Sequence, residues 1–191
     1  MLTEPMDIHQ ELVGAHHRFS SRMVAGKLWL FDHLEAIAFK VDVEMNPGER
    51  MAVDVVVLFS NHCFTRGMLN GEVVAEDLVW LDVREKRVLD KQRYVLSRLF
   101  LPRLILELPT RHIQVADASR PNFVSFEMPP QMGFDEAARY AVFFEVERDK
   151  LRRRRVLLRV QSAYVMPQLT RRQTQADKIR FHTLIKRAYA K

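Results

Sequence analysis

Apolar and polar side chains alternate with a period of two across residues 140–148, where Tyr140, Val142, Phe144 and Val146 share one side. The same rhythm returns after a basic turn, with Val156, Leu158, Val160 and Tyr164 on one side and Ser162 as a polar exception. A period of two is the signature of a half-buried strand, so the pattern predicts a central hairpin with one face on a core. The opposite face carries Glu145, Glu147, Arg159 and Gln161, either a solvated row or the floor of a site.

A second hairpin is predicted earlier. Residues 35–44 alternate Ile37, Phe39, Val41 and Val43 against Ala36, Ala38, Lys40 and Asp42, and residues 51–59 answer them across Asn46-Pro47-Gly48-Glu49. Proline presets φ and glycine accepts a positive φ, which suits a type II-like turn. Residues 53–59 are almost continuously apolar and are expected to be buried on both faces. They run into Ser60-Asn61-His62-Cys63-Phe64-Thr65-Arg66-Gly67, the densest group of reactive side chains in the chain.

Short strands are expected at 78–83 and 123–128, and a charged turn at 84–87. Asp90 suits the N-cap of a helix whose Tyr94, Val95, Leu99, Phe100, Leu104, Ile105 and Leu108 recur at spacings near three and four. Pro102 inside it predicts a kink or two successive helices. Residues 179–185 alternate like a last strand. The expected fold class is α+β: antiparallel β-sheets, comprising N-terminal hairpins and a C-terminal meander sheet, with a kinked helix or helical hairpin in the middle. An N-terminal arm or short helix over residues 1–25 precedes a single domain over 26–191, divided into a β layer (26–88), a helical segment (89–109) and a C-terminal sheet (110–191).

Composition narrows the chemistry. A chain of 191 residues with 48% hydrophobic and 28% charged residues can bury one sizeable core. Its charge of +6, mostly arginine in the last third, favours polyanionic partners without naming one. One cysteine excludes an internal disulfide, and no apolar run is long enough for a membrane helix. The acidic N-terminus lacks the pattern of a signal peptide. A cytoplasmic protein without membrane contact is therefore expected.

There is no phosphate-cradling glycine loop, nucleophile elbow or zinc-protease motif, so neither a cofactor nor a metal is expected. The candidate chemistry falls to His, Arg and Tyr side chains near strand ends. Metal-independent cleavage of RNA needs a base for the 2′-hydroxyl, an acid for the leaving oxygen and fixed positive charge at the phosphate. His62, His112 and Tyr164 are the catalytic candidates. Arg111, Arg120, Arg152, Arg153, Arg154, Arg155 and Arg159 are the candidates for holding nucleic acid. A thiol nucleophile at Cys63 ranks last, because adjacent residues such as His62 point to opposite faces of a strand.

The helix after Asp90, the strand after Arg120-Pro121-Asn122-Phe123, the pair Tyr140-Ala-Val-Phe-Phe-Glu-Val and residues 156–160, and the closing Gln161-Ser162-Ala163-Tyr164-Val165 resemble the barnase, EndoU, colicin and RelE-like nucleases. In that group helices precede a four-stranded antiparallel sheet whose face is catalytic. Residues 60–65 and 161–165 also mark a resemblance to an uncharacterised bacterial family associated with phage and other mobile elements. The resemblance implies a metal-independent, toxin-like ribonuclease acting on RNA. The alternative is a non-enzymatic accessory module that binds RNA, DNA, a protein partner or a second copy of itself through a basic sheet surface.

Overall fold

A computed structural model of the chain describes residues 19–82, 85–115 and 122–190. Most of the strands join one seven-stranded sheet. Its members are β3 (Ile37–Asn46), β4 (Glu49–Phe59), β8 (His112–Val115), β9 (Asn122–Glu127), β10 (Arg139–Arg148), β11 (Arg155–Met166) and β12 (Asp177–Arg180), in the spatial order β12-β8-β9-β10-β11-β4-β3. The fold is α+β, but the sheet is mixed: β4 runs parallel to β11, while its other pairs are antiparallel. The β3–β4 hairpin of the expected N-terminal layer and the expected C-terminal sheet are thus one sheet. The reason lies in β4, where Val55, Val56, Val57, Leu58 and Phe59 are all buried, so both of its faces and both of its edges need neighbours.

The remaining strands are small. β1 (Arg22–Val24) and β2 (Lys27–Trp29) form a hairpin, and β5 (Thr65–Gly67), β6 (Val79–Leu81) and β7 (Lys86–Leu89) form a three-stranded sheet in the order β5-β7-β6. Of the arm or helix expected over residues 1–25, residues 1–18 lie outside the described ones, and Arg22–Val24 is strand. The β3–β4 turn takes the expected form, with Gly48 at φ 79°.

Helix α1 (Lys91–Leu106) starts where Asp90 accepts a bond from the Arg93 amide at 2.9 Å. It is one uninterrupted helix, neither broken nor paired at Pro102. The ring removes only the bond to the Arg98 carbonyl, on a turn whose Arg98 and Leu99 side chains are exposed. Leu96, Leu101, Leu104 and Ile105 are buried, each fully buried leucine contributing about 1.5–3 kcal/mol. A single turn, α2 (Arg171–Thr174), follows β11, and α3 (Phe181–Ala190) closes the chain.

The last strand expected over 179–185 is therefore a four-residue strand followed by a helix. Phe181, Leu184, Ile185 and Ala188 recur at three and four, and all are buried; the alternation ending at Ile185 is too short to reveal that stripe. Both long helices bury their stripes in one apolar cluster that runs from Val24 to Ala188 and includes Tyr140, Val142 and Phe144. A smaller cluster of Val56, Leu58 and Leu157, with Ala36 and Ala38 beside it, lies on the other face of the sheet.

Candidate nucleic-acid interface

A bulge decides what this second face carries. Phe143 pairs with Ser162 and Phe144 with Val160, so Gln161 is an extra residue in β11. Side chains beyond it change sides. Ala163, opposite Val142, enters the core, and Tyr164, expected there with Val156, Leu158 and Val160, turns to the second face opposite Ala141. Ser60, just past the end of β4, ties the bulge down: its amide donates to the Val160 carbonyl at 3.0 Å and its hydroxyl to the Gln161 carbonyl at 2.5 Å.

Tyr164 thereby joins a row of rings across three strands. Phe123 stacks on Phe143 at 5.6 Å between centroids, and Phe143 on Tyr164 at 5.4 Å. Arg93, at the start of α1, closes the row with its guanidinium 4.7 Å from the Tyr164 centroid. Arg93 is itself held by the carbonyls of His62 and Thr65 at 3.1 and 2.8 Å. Phe123 is buried, whereas Phe143 and Tyr164 are partly buried.

The connection from β11 to β12 crosses this face. Gln114 and Met166, both on it by register, contact α2: the Gln114 amide donates to the Gln173 carbonyl at 3.2 Å, and the Gln173 amide reaches the Met166 sulfur at 3.7 Å. Arg171 and Arg172 project from that connection, and His112, Lys178, Arg180 and Arg159 stand exposed on the same face. Glu127, Glu145 and Glu147 offset them in part, and Arg159 pairs with Glu147 at 2.8 Å.

The three proposed catalytic side chains do not share one position. Gln114 lies opposite Phe123, so His112 falls in the same row as Ser125, Ala141 and Tyr164. Three strand spacings separate His112 from Tyr164, roughly 14 Å. His62 sits in a 3-10 turn at Asn61–Cys63 with its Nε2 3.8 Å from Glu85, on the side of the three-stranded sheet. Burial, helped by the neighbouring Arg87 charge, lowers its pKa and favours neutral imidazole. Cys63 is fully buried, and burial pushes its thiol up to about 12, which makes it a core side chain and a poor nucleophile.

The arginines divide as well. Arg152, Arg153 and Arg154 are exposed in the turn, beside a groove of about 1110 Å³ bordered by Arg148, Lys150, Arg153 and Arg187. Arg155 is buried against Asp149, 2.5 Å away, so its guanidinium braces the turn from inside. Arg111 pairs with Glu107 and covers the Phe126 ring at 4.2 Å. Arg120 lies outside the described residues. Among the described residues no group of three or more His, Cys, Asp or Glu side chains is arranged to hold a metal, and no helix is long and apolar enough to cross a membrane.

Phe123, Phe143 and Arg93 were not singled out from the sequence. The signal for them was Gln161-Ser162, two consecutive polar residues in an otherwise alternating strand, which is what a bulge leaves behind. Comparison with curated proteins and with solved structures yields no match. The model of the YjaZ family matches residues 18–189, and the chain belongs to the YjaZ family.

Proposed function

We propose that this domain binds single-stranded nucleic acid on the second face of its sheet and holds it without cleaving it. The observation that carries the reading is the row Phe123–Phe143–Tyr164 closed by Arg93. Bases stack on aromatic rings whatever their sequence, and a guanidinium beside the row serves a phosphate or another π-face. Arg159, Arg171, Lys178 and Arg180 stand on or around the row, and the groove beside the arginine turn adds Arg148, Lys150, Arg153 and Arg187, with Glu145, Glu147 and Asp149 among them.

Cleavage would need an acid and a base within hydrogen-bond reach of one phosphate. His62 faces Glu85, and His112 is three strands from Tyr164, so retention fits the geometry better than hydrolysis. The test is fluorescence anisotropy with labelled single-stranded RNA and DNA of mixed sequence. Binding is expected at low salt, with affinity falling linearly against the logarithm of salt concentration. The RNA is expected to remain intact. Absence of binding to both strands at low salt would refute the proposal, and cleavage that survives a chelator would replace it with the ribonuclease reading.

A further inference from the structure

We infer that two copies of this chain associate by pairing their β3 strands edge to edge in antiparallel fashion, extending the sheet across a twofold axis at Val41. Strand β3 ends the order of the seven-stranded sheet and is ten residues long. Its backbone bonds go to β4, and among the described residues no strand or loop pairs with the outer edge of its first eight residues. Edge strands that are not used for pairing are usually short, bulged, interrupted by proline or guarded by charges, lysine above all. This one has no internal proline, and its irregularity lies at the far end, between Glu44 and Asn46.

The charges name the occupant. In an antiparallel pair, residues directly opposite each other must lie on the same face, so a twofold axis must coincide with a residue of the strand. An axis at Lys40 sets two ammonium groups against each other, and an axis at Asp42 sets two carboxylates together. With the axis at Val41, Lys40 of each copy lies opposite Asp42 of the other, twice, and no like charges oppose. Lys40 and Asp42 are both exposed, and Val41 is half-buried on the core face, where it gains its own counterpart as a neighbour. A strand whose charges complement their own twofold image suits a second copy of the chain, and the contact is isologous.

Sedimentation over a concentration series at low salt tests this in the intact chain. The wild type is expected to form a reversible dimer by about 100 µM, in keeping with a small interface. Lys40→Glu and Asp42→Lys each place like charges opposite one another twice and are expected to weaken the dimer about tenfold or more. The double variant Lys40→Glu/Asp42→Lys restores both attractive pairs and should recover wild-type association to within about threefold. Lys40 also lies opposite Asp54 within the chain, so each variant is melted alongside to show that it is folded. A wild type that stays monomeric overturns the inference. So does a dimer that ignores both reversals, or a double variant no better than the singles.

Discussion

The Ser60 hydroxyl donates to the Gln161 carbonyl at 2.5 Å, at the residue where β11 carries one residue more than β10. That bond joins the end of the N-terminal hairpin to the irregularity that turns Tyr164 away from the core. The same oxygen accepts from the His62 amide at 3.2 Å, so one side chain both caps the following turn and pins the bulge. Ser60→Ala is expected to cost about 1 kcal/mol for the lost hydroxyl bonds. Urea denaturation measures it. The variant should also bind nucleic acid less tightly, because Tyr164 is held less firmly on its row.

At the row itself, ring area and hydroxyl can be separated. Tyr164→Phe keeps the stack on Phe143 and the surface offered to Arg93, and should bind single strands within about twofold of wild type. Tyr164→Ala and Phe143→Ala each remove one platform, worth about 1–3 kcal/mol per base, and should weaken binding by roughly 5- to 150-fold. Anisotropy titrations at one fixed salt concentration distinguish these outcomes, with thermal melts alongside to show that the variants remain folded.

Asp149 and Arg155 form a buried ion pair at the base of the arginine turn, 6% and 9% exposed. Asp149 also accepts from the Leu151 amide at 2.8 Å, which shapes the turn. Asp149→Ala leaves a guanidinium buried without its partner and should cost about 3–5 kcal/mol. Removing both charges with Asp149→Asn and Arg155→Met together should cost less than the two single changes added. A double-mutant cycle by chemical denaturation checks the coupling.

His33 gives the fold a response to acid. Its Nε2 lies 2.9 Å from the Ser97 hydroxyl under α1, and burial, reinforced by the nearby Arg98 charge, lowers its pKa from 6.5 to about 4. The unfolded chain therefore takes up this proton more readily than the folded one. Its contribution is present in full above pH 6.5 and is lost as pH falls towards about 4. Allowing for its partial exposure, the loss should be on the order of 1–2 kcal/mol. His62 is lowered in the same direction and adds to the trend. Denaturation at pH 7.5 and pH 5 should show the drop, and His33→Gln should flatten the part that His33 supplies.

Much of the local structure was legible in the residues. Pro47-Gly48 carries its own dihedral preferences, Asp90 carries the acceptor that caps α1, and the unbroken apolar run of 53–59 demands burial on both sides. Each of these rests on a preference that acts within a few residues. The aromatic row left only the polar pair Gln161-Ser162 as its trace in the sequence, because a single extra residue at Gln161 reverses every side chain after it, and whether a strand bulges there depends on the partner it pairs with. The C-terminal strand-to-helix switch was hidden because two alternations and one helical turn place the same apolar residues at Phe181 and Ile185.

The sequence by itself determined the β3–β4 hairpin and its turn, the central β10–β11 hairpin, the cap and apolar stripe of α1, and a composition rich in arginine. Tertiary structure decided the rest. Parallel pairing of β4 with β11 joined the β3–β4 hairpin and the expected C-terminal sheet into one sheet, since only a central position satisfies a strand apolar on both faces. That pairing set Ser60 beside Gln161, and the bulge it pins set Tyr164 in line with Phe143 and Phe123. Contacts between residues a hundred positions apart are not encoded in any short window. They follow from which edges and faces remain to be satisfied once the local elements have formed.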